Sequence, residues 1–283
     1  NARAMEMAGV DADTPDPEGG RIVRDATGGA TGVFEENAAS LVERPFEAWQ
    51  ALRGRGHSRA AFEEAARLAT ELCWHHGVTS FQDAGCSFWE LEEYARLAAA
   101  GNLGVRLWCM ASQPRPSELS KLEVYPQIGR GNGFFTCRAV KCYMDGALGS
   151  YGAWLLEPYQ DKTGFRGQNV TPIDSIRMVA EACRQYGLQC CVHAIGDRGN
   201  RATLDIFKSA LQDDRTRRWR IEHAQHLHPE DIGRFARMGV IASMQSIHCT
   251  SDAPFVEKRL GKKRARQGAY VWRSLLRSGA RLA

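Results

Sequence analysis

Several features that would quickly assign a class of protein are missing from this sequence of 283 residues. No apolar run approaches the about 18 residues of a membrane-spanning helix, and the first residues do not form a signal peptide. The nine cysteines include no Cys-x-x-Cys pair, which argues against a disulfide framework and a structural zinc site. The formal net charge is only +4, so no nucleic-acid partner is indicated. We therefore expect a cytoplasmic protein with reduced thiols that binds neither a membrane nor nucleic acid.

The composition is that of a globular protein, with 43% hydrophobic and 25% charged residues. The length fits two ordinary domains, or one parallel α/β barrel of about 250 residues. The chain starts at Asn1 rather than at Met, which predicts further residues upstream.

The first 57 residues differ in pattern from the rest of the chain. Residues 14–20 have the composition of turns, and two short β-type runs follow at residues 21–24 and 31–34. This pattern predicts a hairpin embedded in loops. From residue 58 the pattern becomes regular, with a helix that stops at Gly77 and a strand at residues 78–81.

Short apolar runs alternate with helical patterns through the remainder of the chain. The runs lie at residues 105–110, 139–144, 188–195, 219–223 and 240–244, and residues 280–283 resemble the start of another strand. This alternation predicts a parallel sheet, as a closed barrel or a doubly wound open sheet. A closed barrel needs eight strands, so one would be missing in front and the last cut short. No Gly-x-Gly-x-x-Gly follows a strand, which weakens the dinucleotide-binding form of the open sheet.

Lys141 lies within the apolar run at residues 139–144, on the same face as Tyr143 and Asp145. Burial lowers the pKa of a lysine, which suits a nucleophile, a Schiff-base former or a lysine that is chemically modified. The alternative is a structural lysine paired with a neighbouring carboxylate. The strand by itself does not decide between these interpretations.

Two successive apolar runs end in a histidine, His193 and His223. The carboxyl ends of parallel strands meet at one edge of a sheet, so the two imidazoles can converge. A divalent metal is the usual reason for such convergence, and nitrogen ligands favour zinc. A single histidine in such a position is more often a hydrogen-bonded core residue. Together with Lys141 the two histidines form a candidate metal site.

Other histidines are weaker candidates. His248 follows a further strand end, where it could face a substrate. His226 and His228 have metal-like spacing, but they lie in a loop beside a helix start, where His228 would cap the helix. The basic run at residues 258–266 has no interleaved aromatic residues and is interpreted as a solvated loop.

Four motifs, in this order, resemble the amidohydrolase superfamily and specifically the YtcJ-like amidohydrolase family 3. The motifs are VKCYMDGALGS at residues 140–150, VHAIGDR at 192–198, RIEHAQ at 220–225 and IASMQ at 241–245. The resemblance covers nearly the whole chain. Residues 1–4 and 14–17 resemble the insertion that this family carries between its first and second barrel strands.

The resemblance implies a (β/α)8 TIM barrel with a metal centre at the strand ends. Such enzymes hydrolyse amide or other non-peptide carbon–nitrogen bonds with a metal-activated water. It implies that Lys141 is carboxylated and bridges two metal ions, that His193 and His223 bind one of them, and that all three are catalytic. The expected metal is zinc, and the expected substrate is a small-molecule amide. The residues expected to contact that substrate are Asp145, Asp197, Arg198, Gln225 and His248.

The sequence also departs from the family pattern. The family's His-x-His pair on the first strand and its general-base Asp on the eighth strand are absent here. We therefore predict a central fragment, with the insertion at residues 1–57 and strands 2 to 7 plus the start of strand 8 at residues 58–283. Such a fragment is expected to be weakly active or inactive, and its open strand edges predict self-association into a homo-oligomer or aggregate. Tyr151 and Ser246 replace an expected arginine and proline, which affects substrate preference.

Two other functions fit the same residues. A non-catalytic ligand-binding protein on the same scaffold would keep the pocket without needing a base. A Schiff-base lyase would use Lys141 as its nucleophile. The histidines at the next two strand ends rank the hydrolase above both.

Overall fold

The N-terminal part of the chain folds around a β-hairpin. The computed structural model describes residues 1–53 and 58–283. The N-terminal elements are α1 (Ala2–Ala8), β1 (Gly20–Arg24), β2 (Ala30–Glu36), a short 3-10 helix (Asn37–Ala39) and α2 (Ser40–Leu52). Ile22 of the hairpin packs with Val10 and Ala38 in a small core. The Asp25 side chain accepts the Gly29 N–H and so fixes the turn between the two strands. The predicted hairpin is confirmed. The predicted boundary between residues 57 and 58 adjoins residues 54–57, which lie outside the described residues.

The second part of the chain alternates strands and helices as its sequence predicts. The elements are α3 (Arg59–His75), β3 (Ser80–Cys86), α4 (Phe88–Ala99), β4 (Arg106–Ser112), a 3-10 helix (Pro116–Val124), β5 (Gln127–Gly129), α5 (Arg130–Gly133), β6 (Phe135–Tyr143), α6 (Ile173–Tyr186), β7 (Gln189–Ala194), α7 (Asp197–Leu211), β8 (Arg220–His223), α8 (Pro229–Met238), β9 (Ile241–Ser243), α9 (Ser246–Gly268), α10 (Trp272–Arg277) and β10 (Arg281–Leu282).

Seven parallel strands form one sheet in the spatial order β10-β9-β8-β7-β6-β4-β3, and β5 pairs with β6 in the antiparallel sense. The order does not reverse, whereas that of a doubly wound sheet does. The sheet also curls, as a contact between distant strands shows. Arg220 of β8 donates to Gln82 of β3 at 2.6 Å. These two strands would be about 19 Å apart in a flat sheet. The predicted α/β fold, an incomplete TIM barrel, is therefore confirmed as a curled half-barrel.

The ends of the helices explain where the strands begin. The strand predicted at residues 78–81 starts only at Ser80, because the Val78 N–H closes the end of α3 by donating to the Cys73 carbonyl. Helix α8 begins at Pro229 and ends before Gly239, which is in the left-handed conformation.

The main hydrophobic core lies between the sheet and the helices around it. Phe207 of α7 and Trp219 are fully buried there, with ring centroids 4.9 Å apart. A smaller cluster of Met110, Ala139 and Cys191 lies on neighbouring strands. All nine cysteines are free thiols. Within the described residues, none of the helices is both long enough and apolar enough to cross a membrane.

Candidate metal centre

Three predicted residues come together at the carboxyl ends of adjacent strands. Lys141 lies near the end of β6, His193 near the end of β7 and His223 at the end of β8. In the parallel register, Ala194 is the partner of His223, so the two histidines occupy neighbouring positions. Their ring centroids are 4.7 Å apart. The convergence predicted from the strand ends is therefore present.

His193 is a buried imidazole with an unpartnered ring nitrogen. The ring hydrogen-bonds to the Gly146 backbone, while Nε2 is buried and has no hydrogen-bond partner among the described residues. Burial is the main cause that lowers the pKa of His193, so the imidazole is neutral at pH 7.

His223 is oriented by a side chain that follows the next strand. Its Nδ1 lies 2.7 Å from Oε1 of Gln245, which makes Nδ1 the protonated nitrogen and Nε2 the acceptor. Burial lowers the pKa of this imidazole too. The backbone turns sharply here, because His223 and Ala224 both have positive φ, 75° and 43°. Such a turn is costly for residues with a Cβ, and strained turns concentrate at functional sites.

Lys141 is a buried amine close to these imidazoles. Only 4% of it is exposed, and its Nζ lies 3.8 Å from the centroid of the Tyr143 ring. Burial lowers the pKa of Lys141, whereas the charge of Glu222 acts in the opposite direction. Glu222 is itself engaged by Arg220, with Oε1 and Nε 2.8 Å apart. The carboxylate whose charge acts on Lys141 is thus already paired with another cation.

Asp145 lies inside the loops that follow these strands, and only 1% of it is exposed. Its carboxylate accepts three backbone N–H groups, from Trp154, Ile195 and Gly196, at 2.8 to 2.9 Å. Oδ1 is also 3.6 Å from Nε2 of His193. Burial raises the pKa of Asp145 to about 7, although the three donors act in the opposite direction. The residue ties together the segments that carry the site.

The other residues expected to contact a substrate have different surroundings. His248 lies beside the centre, with its ring centroid 5.4 Å from that of His223. Gln225 is buried and donates to Asp252 and to the Tyr270 hydroxyl.

Two further expected substrate contacts lie at the start of α7. The Asp197 carboxylate accepts the Leu156 N–H at 2.8 Å, and burial raises its pKa. The guanidinium of Arg198, an exposed residue, lies 4.4 Å from the centroid of the Trp154 ring.

The His226 and His228 pair does not form a metal site. His228 caps α8 by accepting the Glu230 N–H, as expected. His226 is buried away from it, against the Tyr270 ring. In the two described ranges, 1–53 and 58–283, no three side chains of the His, Cys, Asp or Glu type are placed to hold an ion.

Two contributors were not predicted, Gln245 and the Gly146 backbone. Gln245 orients the His223 imidazole through Nδ1, the support that metal-binding histidines usually have. The Gly146 backbone interacts with the His193 ring. Gln245 lies in one of the quoted motifs, which was the only signal available. Gly146 acts through its backbone, which leaves no signal in the side-chain sequence.

A cavity of about 660 Å³ opens next to the candidate centre. Tyr143, which is 42% exposed, forms part of its wall. Leu41 and Arg44 of α2 line one side, and Met178 of α6 lines another. The cavity is thus formed between the N-terminal part of the chain and the half-barrel.

A parallel half-barrel that presents two oriented imidazoles and a buried lysine at its strand ends has the architecture of a barrel hydrolase. The chain belongs to the amidohydrolase family, whose family model matches residues 1–283.

Individual relatives agree with this assignment. The chain is similar to Protein LONG AFTER FAR-RED 3 of Arabidopsis thaliana, at 33% identity over 294 residues, covering 100% of this chain and 49% of that protein. It is similar to Putative amidohydrolase YtcJ of Bacillus subtilis, at 31% identity, covering 99% of this chain and 51% of that protein. Among solved structures it resembles an uncharacterized metal-dependent hydrolase from Pyrococcus furiosus, with a TM-score of 0.73 and 26% identity, covering 100% of this chain and 55% of that one. The chain spans about half the length of the curated relatives it matches.

Proposed function

We propose that this chain supplies part of the active site of an amidohydrolase that cleaves an amide or another non-peptide carbon–nitrogen bond. The observation that carries the proposal is the pair of buried imidazoles, His193 and His223, whose ring centroids lie 4.7 Å apart, with Nε2 of His193 unpartnered among the described residues and His223 oriented through Nδ1 by Gln245. Family membership and the names of the relatives, an amidohydrolase and a metal-dependent hydrolase, support the same conclusion.

The donors fit a divalent metal, which we propose to be zinc. Nε2 of His193 is a buried polar atom without a partner in the described part of the chain, a state that a bound cation would relieve. His193, His223 and Lys141 would hold the ion. When bound, the metal supplies Lewis acidity toward the substrate carbonyl and activates water for attack. The neutral state of both imidazoles, favoured by burial, is the state that a cation requires.

Lys141 fits the ligand set as a carboxylated lysine. Its neutral amine adds to carbon dioxide, forming a nitrogen–carbon bond and releasing one proton. The product is an anionic oxygen donor in place of a cation. Burial favours the neutral, nucleophilic amine that this step needs.

The substrate would lie over the two imidazoles, with its larger portion in the cavity beside Tyr143. His248 is placed to contact it from the side of His223. Asp145 and Gln225 would act indirectly, because their polar groups are already engaged by neighbouring residues. Arg198 and Asp197 are proposed to contact a substrate at the start of α7.

Metal stoichiometry of the purified chain tests the proposal. We expect about one zinc ion per chain by elemental analysis, lost in His193→Ala, His223→Ala and the triple variant that also carries Lys141→Ala. Gln245→Ala should weaken zinc binding by about 10- to 100-fold, because it frees the His223 ring to turn. His75→Ala, at an exposed position outside the site, is the control and should keep the ion.

Two results would refute the proposal. One is an unaltered chain that takes up no zinc when titrated with the metal. The other is a triple variant that binds zinc as tightly as the unaltered chain. Incorporation of a carbonyl compound at Lys141 on borohydride reduction, without any metal, would favour the Schiff-base lyase instead.

A further inference from the structure

The hairpin of the N-terminal part ends in an unusual residue, Glu36. It is the last residue of β2, and its φ and ψ are 50° and −127°. This conformation is left-handed, and residues with a Cβ adopt it only when their surroundings enforce it. Its side chain is half-buried, and this burial raises the pKa of its carboxyl. The strained backbone therefore directs a carboxyl group into the protein.

The Glu36 carboxyl lies against the loop that follows the Lys141 strand. The Ala147 N–H donates to it. A Cβ added at Gly146 or at Gly152 would fall less than 3.0 Å from its Oε1, closer than real Cβ atoms come to any atom. Neither glycine has a positive φ that would by itself require glycine. Their missing side chains thus make the space that the carboxyl group occupies.

Gly146 connects this contact to the candidate centre. Its backbone interacts with the His193 ring, and Nε2 of that ring lies 3.6 Å from Oδ1 of the adjacent residue, Asp145. The Gly146 N–H in turn donates to the Gly152 carbonyl at 3.2 Å, so the two glycines beside the carboxyl group belong to one closed loop. A shift of this loop would turn the imidazole.

We propose that Glu36 is a positioning residue of the metal centre, which holds the 146–152 loop and, through Gly146, the orientation of His193. The hairpin then contributes to the geometry of the metal site. This inference rests on the proposed function for its effect on metal binding, but not for the contact itself.

The test compares three variants of the whole chain. Glu36→Ala removes the carboxyl group. Gly146→Ala places a methyl group where the Glu36 carboxyl group lies, without altering the hairpin. Glu36→Gln keeps the shape and the acceptor for the Ala147 N–H. Zinc affinity, measured by competition with a chelator, should weaken by about 10- to 100-fold in the first two variants and return to the unaltered value in the third. The double variant of the two alanine changes should be no weaker than either alone, because both break the same contact.

The control is Glu35→Gln at the neighbouring position of the hairpin. Glu35 binds Arg21 and does not contact the glycines, so this variant should bind zinc normally. Amide hydrogen exchange of residues 146–153 is a second readout that needs no metal. Exchange there should accelerate in Glu36→Ala and in Gly146→Ala, but not in Glu36→Gln or the control.

The inference is overturned if Glu36→Ala and Gly146→Ala both keep the zinc affinity of the unaltered chain, or if Glu35→Gln weakens it as much as they do. Where the unaltered chain binds no zinc, the proposed function fails and the exchange rates decide alone. Unchanged exchange at residues 146–153 in both alanine variants would then overturn the positioning role.

Discussion

His226 should make the stability of this protein depend on pH in a way that one substitution can remove. The residue is 2% exposed, and within the part of the chain that the structure describes neither ring nitrogen has a hydrogen-bond partner. Burial lowers its pKa to about 4, although the charge of Asp252 acts in the opposite direction. The folded chain therefore holds this imidazole in its neutral form well below the pH at which a solvated histidine becomes charged.

The magnitude follows from the difference between folded and unfolded pKa values. A histidine in the unfolded chain has a pKa of about 6.5, so the unfolded state takes up the proton first as the pH falls. The contribution of His226 to stability is thus complete above about pH 6.5 and is lost as the pH falls toward about 4. Integration gives a loss of about 2 kcal/mol between pH 7.5 and pH 5, and about 3 kcal/mol in all.

The assay is urea unfolding at both pH values, followed by circular dichroism, of the unaltered chain and of His226→Leu. The variant should lose about 2 kcal/mol less than the unaltered chain over this interval. At pH 7.5 it should be about as stable or slightly more stable, because two unsatisfied polar atoms are removed. His75→Asn, at an exposed position, is the control and should show the loss of the unaltered chain. Equal pH dependence in His226→Leu and the unaltered chain would refute the reasoning.

Three further substitutions have definite expected effects on urea unfolding at pH 7.5. Asp145→Ala leaves three backbone N–H donors without an acceptor and should cost about 3–6 kcal/mol, so a loss below about 1 kcal/mol would contradict the network. Ser87→Ala removes the capping box that Ser87 forms with Glu90 at the start of α4 and should cost about 1 kcal/mol, whereas an unchanged stability would show the cap to be unimportant. Lys141→Met should stabilise the metal-free chain by about 1–2 kcal/mol while abolishing zinc binding, and a destabilised variant would indicate that Lys141 is a structural residue.

The parts of the fold and site that follow from local pattern could be predicted from the sequence. Alternating apolar runs and helices predict parallel strands, and the carboxyl ends of such strands meet at one edge. That argument is sufficient to bring Lys141, His193 and His223 together, as the structure does. The sequence pattern predicts the start of β3 two residues too early, because it does not show that the Val78 N–H closes the preceding helix.

The parts that depend on contacts between distant segments could not be predicted. Asp145 looks like a polar residue available to a ligand at a strand end, yet loops that follow other strands donate three N–H groups to it. Glu36 looks like an ordinary surface residue at the end of a hairpin. Its burial depends on two glycines in a loop far along the chain, and no spacing in the sequence connects them.

The strained turn at the end of β8 shows why such distant contacts belong to the site. His223 and Ala224 both have positive φ, which costs about 1–2 kcal/mol for each residue. Local preference alone would straighten the turn and carry the imidazole away from His193. The bond from Nδ1 to Gln245, a residue that follows the next strand, opposes this relaxation. At the neighbouring strand end, the Gly146 backbone interacts with the His193 ring. Each imidazole is therefore oriented by a segment other than its own strand, so the sequence around a histidine can identify the candidate ligand but not the contact that orients it.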